Sequence, residues 1–323
     1  MQSPETQIAT VGDESKKKAE KPVTGSIQDL WPSLPYEEWK DTYDTLHMWI
    51  QIVAKIRLTL SPVVNHWWHS SLYVTPRGLT TSPIPYAGRT FEIQFDFIDH
   101  NLKFETSDGM TRFMALYPRS VADFYREVMA VTRSLGIEVR INPIPQEVAN
   151  PIRCDQDEVH AYYDAEYVER FRRILIQTDQ VLKEFRGRFM GKSSPVHFWW
   201  GSFDLAVTRF SGRRAPERPG ADWITREAYS YECSSAGFWP GSGHLLKPAF
   251  YAYTVPAPPG FNTASIRPEK AYFDSNFSEF ILLYDDVRTS DRPADDLLDF
   301  LQSTYEVGAN LGNWDRSNLE REP

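Results

Sequence analysis

The feature of this sequence that most constrains its fold is a segment that occurs twice. Residues 61–68 read Ser-Pro-Val-Val-Asn-His-Trp-Trp, and residues 194–200 read Ser-Pro-Val-His-Phe-Trp-Trp. Each copy follows a long apolar pattern at helical spacing and precedes strand-like alternation. Self-similarity in a fixed order is typical of repeat architectures. We therefore expect an α+β fold of two pseudo-repeats, each a helix, an antiparallel four-stranded meander and a helix, packed about a pseudo-two-fold axis.

Periodicity and turn residues place the elements of the first repeat. Apolar residues over 37–60 recur at helical spacing, and Ser61-Pro62 ends that helix. Alternation over 91–97 indicates a half-buried strand. Ser120 is placed to cap a second helix that ends near Gly136. Further strands are predicted at 67–75, 101–104, 112–117 and 137–141.

The second repeat shows the same order of patterns. A long helix is predicted over 165–189, with Asp164 as its N-cap. One strand is predicted from His197 through Arg209, and a final helix over 293–312. Further strands are predicted at 227–233, 249–254 and 279–284.

These patterns also suggest domain boundaries. Residues 1–28 are polar and rich in Lys, Glu and Ser, so we expect a disordered tail. The first repeat then covers 29–150 and the second 151–323, both within one compact domain. A Pro-rich connector separates them at 143–151.

Charge and hydropathy exclude several classes of protein. The 323 residues include 35 Lys and Arg against 44 Asp and Glu, for a net charge of -9. Binding nucleic acid by charge neutralisation needs a basic face, so nucleic acid is not expected as a partner. The most apolar stretch, 46–60, is interrupted by charges, so we expect no membrane span and a cytoplasmic protein. Cys154 and Cys233 are expected to be free thiols, and the oligomeric state is left open.

Two histidines occupy matching positions in the repeated segment. Alternation along the predicted strands puts His66 on one face with Trp68, and His197 on one face with Trp199. One interpretation is a pair of titratable groups that line one cleft and carry acid/base chemistry. The alternative is that each is a structural histidine bonded to a backbone carbonyl.

Two charged residues are expected on the same apolar face. Arg209 should follow His197 along its strand, and a guanidinium there favours binding of an anion. The alternative is that Arg209 pairs with Asp204 or Glu227. We assign Glu227 as a catalytic carboxylate beside the two histidines, and we assign Asp204 with Arg209 to substrate binding.

A metal site is a further interpretation of these residues. His66 could join Asp99 and His100, which follow a predicted strand, in a site for a divalent metal. The alternative for Asp99 and His100 is an ordinary hairpin turn. No paired CxxC, HExxH or nucleotide-binding motif is present, so the sequence assigns no cofactor.

The tryptophan doublets allow two interpretations. One indole of each doublet, Trp68 or Trp199, could stack on a ligand, and we include both as substrate-binding residues. The alternative is that both rings only fill the core.

Several of these segments together resemble a known family. They include Asn65-His-Trp-Trp, Phe95-Asp-Phe-x-Asp-His and Ser194-Pro-Val-His-Phe. The longest are Gly201-Ser-Phe-Asp-Leu-Ala-Val-Thr-Arg-Phe-Ser-Gly-Arg and Ser234-Ser-Ala-Gly-Phe-Trp-Pro-Gly. The chain resembles, over about residues 30–320, the bacterial family known as domain of unknown function 5996. The resemblance implies one family-defining unit, and it implies no activity.

Two functions from different classes remain. The first is an enzyme that acts on a small anionic molecule in a cleft between the pseudo-repeats, using histidine, carboxylate and arginine groups. The alternative is a non-catalytic module that binds a ligand or a protein, with structural histidines. The two differ in whether these side chains converge on one site.

Overall fold

The computed structural model describes residues 26–321. The predicted tail therefore lies outside the described residues, apart from positions 26–28. The described part combines α-helices with two antiparallel sheets, which confirms the predicted mixture of helix and antiparallel sheet.

The long helices form where apolar periodicity predicts them. Ser120 caps α3 (Val121–Ser134) by accepting a hydrogen bond from the Asp123 backbone N–H at 3.1 Å. Asp164 caps α4 (Ala165–Gly187) by accepting from the Glu166 backbone N–H at 2.9 Å, so both predicted caps are confirmed. The α-helices are α1 (Ile27–Leu30), α2 (Tyr36–Leu60), α3 (Val121–Ser134), α4 (Ala165–Gly187), α5 (Trp223–Ala228), α6 (Tyr284–Arg288), α7 (Pro293–Leu311) and α8 (Arg316–Leu319).

The first sheet belongs to the first half of the chain. Its strands are β1 (Tyr73–Thr75), β2 (Gly78–Thr80), β3 (Ile84–Tyr86), β4 (Arg89–Asp96), β5 (Asn101–Thr106) and β6 (Thr111–Ala115). The order is β1-β2-β4-β5-β6, and β3 also pairs with β4. The inward residues of β4 pack beneath α2 and α3, where Trp49 stacks on Phe124 with ring centroids 4.6 Å apart.

The second sheet belongs to the second half of the chain. Its strands are β7 (His197–Trp199), β8 (Asp204–Arg214), β9 (Tyr231–Trp239), β10 (Ala249–Val255), β11 (Tyr272–Asp274) and β12 (Glu279–Leu283). The order is β11-β12-β10-β9-β8-β7. Helices α4 and α7 cover one face, and Leu205 and Val207 of β8 are fully buried there.

The two sheets meet edge to edge through β1 and β7. The Leu72 N–H donates to the Phe198 carbonyl at 2.9 Å, and the Phe198 N–H donates to the Leu72 carbonyl at 2.8 Å. Tyr73 and His197 lie next to this bridge, one on each side of the junction between the halves.

Several local predictions are wrong. Each sheet has six strands rather than four, and residues 137–141 form no strand. The strand predicted at 67–75 begins only at Tyr73, because residues 65–67 form a 3₁₀ turn. Within that turn His66 and Trp67 have φ angles of 58° and 64°, which a strand does not allow.

No helix in the described range 26–321 has the length and apolar character needed to cross a membrane.

Candidate functional site

A turn at residues 200–203 decides which predicted site residues share a face. It folds β7 back along β8, so that His197 lies opposite Ala206. Because side chains alternate along a strand, His197 shares its face with Ala206 and Phe210, while Arg209 points to the other face. The prediction of one continuous strand over 197–209, with His197 and Arg209 on the same side, is therefore wrong.

Arg209 instead lies between the second sheet and its helices. Its side chain is 1% exposed, and it donates to the backbone carbonyl of Phe185. Its guanidinium carbon lies 3.4 Å from the ring centroid of Phe185 and 4.3 Å from that of Tyr305. Burial lowers the pKa of this guanidinium to about 9. The structure therefore does not bring Arg209 together with the predicted histidines.

His197 is enclosed by aromatic rings at the junction of the two sheets. Its ring centroid lies 5.7 Å from Trp68, 5.5 Å from Tyr73 and 5.1 Å from Trp199. The side chain is 1% exposed, yet neither ring nitrogen has a hydrogen-bond partner among residues 26–321. Buried polar groups are nearly always hydrogen-bonded, so this imidazole has an unused capacity for a ligand or a water molecule.

The surroundings of His197 carry positive charge. Burial lowers the pKa of His197 to about 3, and the guanidinium groups of Arg57 and Arg186 act in the same direction. These arginines lie in the last turns of α2 and α4. The buried Arg57 donates to the Thr81 carbonyl, but its Nε has no partner in the part of the chain that the structure describes. The junction therefore combines a neutral imidazole with two cations, a set that suits an anion.

His66 also contacts Trp68, with its ring centroid 5.4 Å from that of the indole. Its Nδ1 is 2.9 Å from the carbonyl oxygen of Ala228, and its Nε2 is 2.6 Å from the Nζ of Lys192. A carbonyl only accepts, so Nδ1 carries the proton and Nε2 accepts from the ammonium group. Burial lowers the pKa of His66, and the neighbouring Lys192 adds to that effect.

Lys192 is a site residue that the sequence analysis missed. Its ammonium nitrogen lies 4.8, 5.0 and 5.5 Å from the ring centroids of Phe210, Tyr231 and Trp68. Burial lowers the pKa of this amine, and so does the charge of Arg214. The only sequence signal was its place just before the second Ser-Pro segment.

Glu227 comes close to His66 but not from a strand. It lies in α5, a short helix capped by Asp222, so the strand predicted at 227–233 begins only at Tyr231. The half-buried Glu227 acts on His66 through its charge and its backbone carbonyl. We name the group of His66, Trp68, Lys192, His197 and Phe210 the Trp68 cluster; Glu227 flanks it.

Asp204 lies on the same face as His197, nearer the turn. It accepts hydrogen bonds from the Ser202 and Tyr251 hydroxyls and has no cation within salt-bridge distance in the described range. Burial raises the pKa of Asp204 to about 6. Glu279, half-buried, has its pKa raised to about 7 by burial and by the charge of Asp204. Asp204 is thus a proton-binding group separate from the Trp68 cluster.

The three residues of the predicted metal site lie apart. Asp99 pairs with Arg77 at 2.6 Å in the hairpin after β4, and the His100 Nδ1 lies 2.9 Å from the Tyr163 hydroxyl. His66 contacts the second half of the chain instead. Within residues 26–321, no group of three His, Cys, Asp or Glu residues is arranged to hold a metal ion.

Two surface depressions lie away from these residues. One on the first half is lined by Arg119 and Asp123, and another by Tyr86 and Thr90. Within the Trp68 cluster, His66, His197 and Phe210 are buried, Trp68 is half-buried and Lys192 is exposed.

Comparison with known proteins gives one match. The model of a family of unknown function, DUF5996, matches residues 31–321. The chain belongs to the DUF5996 family. No curated protein and no solved structure matches the chain. The match runs across both sheets, so the DUF5996 unit includes both sides of the junction at which His197 lies.

Proposed function

We propose that the protein binds a small anionic molecule at the Trp68 cluster and acts on it by acid–base chemistry. The observation that carries this proposal is His197, a buried imidazole whose two nitrogens have no partner among the described residues and on which the charges of Arg57 and Arg186 act. A site built to bond a ligand leaves its polar groups unpaired when the ligand is absent.

In this proposal Arg57, Arg186 and His197 bind the anion. Arg186 is exposed, and its Nε already donates to the Ser194 carbonyl at 2.6 Å, which leaves its other N–H groups for an anion. Arg57 contributes its unpartnered Nε. In this proposal these two arginines replace Arg209 as the anion anchor, because Arg209 faces the helices. The half-buried rings of Trp68 and Trp199 provide apolar contact beside them.

In this proposal His66 and Lys192 transfer the proton. The Ala228 carbonyl fixes the His66 tautomer, so that Nε2 can accept a proton from Lys192 or from a bound molecule. The charge of Glu227 favours the protonated imidazole that results. Two of the three predicted catalytic residues, His66 and Glu227, thus retain their roles in this proposal, and His197 becomes a binding residue.

A non-catalytic function is the second candidate. His66 has a φ of 58°, and its bond to Ala228 ties the 3₁₀ turn to α5. This contact favours His66 as a structural residue that orders the anion-binding face. In that case the protein would bind the anion without converting it.

We also infer that the two halves arose by duplication. In each, a long helix leads to an antiparallel sheet and then to further helices. The first strand of each half, β1 or β7, lies at the shared edge, and Leu72 pairs there with Phe198. The proposed anion site would then lie near the pseudo-two-fold axis.

Calorimetry with inorganic phosphate and with pyruvate tests the proposal. Arg186→Met should weaken binding of at least one of these anions, because a charge-assisted hydrogen bond contributes about 1.5–3 kcal/mol, roughly tenfold to a hundredfold in affinity. Arg126→Met, which removes an exposed arginine of α3, is the matched control and should bind as the wild type does. Absence of binding to the wild type, or equal binding by the Arg186 variant, would overturn the proposal.

A further inference from the structure

We propose that Lys192 is an amine nucleophile that forms a protonated imine with an aldehyde or ketone. The geometry points to this role because the Lys192 Nζ lies 2.6 Å from the Nε2 of His66 and is bordered by aromatic rings. We infer that the substrate is an anion that carries such a carbonyl group, and this part of the inference rests on the proposed anion site.

The first step of the argument is the base. His66 presents its unprotonated Nε2 to Lys192, because its Nδ1–H is bonded to the Ala228 carbonyl. An ordinary surface lysine has only water as a proton acceptor. A held imidazole can remove one proton from the ammonium group and return it later in the reaction.

The second step is the environment of the amine. Aromatic rings of Trp68, Phe210 and Tyr231 surround Nζ at 4.8–5.5 Å and displace water from it. These rings also attract the ammonium form, which opposes deprotonation. Loss of hydration and the nearby positive charge of Arg214 act in the opposite direction and lower the pKa of Lys192.

The charged groups that face Lys192 come from three elements. His66 lies on the 3₁₀ turn, Arg214 on β8, and Glu227 on α5 behind His66. The carboxylate acts on His66 rather than on the amine. Glu227 therefore favours proton transfer from Lys192 to His66, and Arg214 favours the neutral amine.

The third step is access. Lys192 is exposed as a residue, and Trp68 and Tyr231 are half-buried, so a small carbonyl compound reaches Nζ from solvent. Trp68 also contacts His197. A molecule lying on this indole could place its anionic group at His197 and its carbonyl carbon at Lys192.

The chemistry balances without a redox partner. His66 takes a proton from the ammonium group, and the neutral nitrogen forms a bond to the carbonyl carbon while the C=O pair moves to oxygen. The proton on His66 passes to that oxygen and gives a hydroxyl group. His66 then carries a second proton from nitrogen to the hydroxyl group, which departs as water while the nitrogen lone pair forms the C=N bond. Overall, one ammonium and one carbonyl give one protonated imine and one water.

Reductive trapping tests the proposal on the full-length protein. Formaldehyde, a neutral probe, is added briefly at pH 7 with cyanoborohydride, which transfers hydride to an imine, and each lysine is quantified by peptide mass spectrometry. Lys192 should be modified at least about tenfold faster than Lys103 and Lys183, two lysines paired with carboxylates outside the cluster. His66→Gln should bring Lys192 to the rate of these controls. A Lys192 rate equal to the controls in folded wild-type protein would overturn the proposal.

A second probe separates this proposal from the anion site. Glyoxylate carries both an aldehyde and a carboxylate, so Arg186→Met should slow trapping by glyoxylate more than it slows trapping by formaldehyde. If formaldehyde traps Lys192 fast and glyoxylate shows no preference, Lys192 is a nucleophile, but the proposal that its substrate is an anion is contradicted. Slow trapping by both probes with intact phosphate binding would contradict the nucleophile alone.

Discussion

Replacing His197 by phenylalanine should leave the folded protein as stable as the wild type or make it more stable. The imidazole is buried, and neither nitrogen has a partner among the described residues. Phenylalanine keeps an aromatic ring among Trp68, Tyr73 and Trp199 while removing both polar atoms. A residue retained at a cost to stability is typical of a functional site.

The magnitude follows from the cost of an unpaired polar atom. A buried polar group without a partner costs about 1–3 kcal/mol, so His197→Phe should raise the free energy of unfolding by up to roughly that amount. His47 is the matched control, because its Nε2 is 2.8 Å from the Trp200 carbonyl and 3.0 Å from that of Gly201. His47→Phe leaves these carbonyls unpaired and should lower the free energy of unfolding by about 1–3 kcal/mol.

Urea unfolding followed by circular dichroism at pH 7.5 measures both values. At lower pH the advantage of His197→Phe should grow. The folded pKa of about 3 lies below the ordinary value near 6.5, so the unfolded wild type gains a proton that the folded one does not. Wild-type stability is therefore lost as pH falls through 6.5 toward 3. Destabilisation of His197→Phe by as much as His47→Phe would refute the reasoning, since it would mean that the imidazole nitrogens are bonded in the folded protein.

Two further predictions concern the second sheet. Glu279→Gln should stabilise the protein at pH 8 by about 1–2 kcal/mol and have little effect at pH 4. The folded pKa of Glu279 is about 7 and its ordinary pKa is near 4.5, so the wild-type protein loses stability as pH rises between these values. Urea midpoints at the two pH values check this, and a larger gain at pH 4 would contradict it. Gly237→Ala should destabilise the fold by about 1–3 kcal/mol or more, since its Cβ would lie 2.2 Å from the Leu205 carbonyl oxygen and 2.8 Å from the Tyr251 hydroxyl. Thermal unfolding measures the loss of stability. Gly109→Ala is the comparison for backbone strain alone, because a Cβ at Gly109 meets no atom within 4 Å although its φ is 90°. An equal loss of stability in both variants would exclude the steric cause.

Local chemistry made part of this fold predictable. The caps at Ser120 and Asp164 depend on side chains two or three residues from the N–H groups they accept from. The apolar alternation in β4 depends on a period of two along one strand. Such signals are contained in a short stretch of chain, so the sequence alone can reveal them.

Other features depend on contacts that no local pattern contains. The turn at 200–203 reverses the chain, and only the pairing of the strands on either side of it shows that Arg209 lies on the face opposite His197. The left-handed backbone at His66 breaks a segment whose residue types favour a strand. The contact of His66 with Lys192 joins residues 126 positions apart. Histidine, carboxylate and arginine could be named as candidate residue types from the sequence, but Lys192 and the grouping of these side chains required the fold.

The most direct test of the anion site is the ¹⁵N NMR spectrum of the histidine rings during a titration with inorganic phosphate. We predict that the Nδ1 and Nε2 signals of His197 shift with phosphate concentration. The signals of His47, which is bonded to backbone carbonyls, should remain in place. Unchanged His197 signals at a phosphate concentration that saturates binding would contradict the assignment of the anion site to the junction of the two sheets.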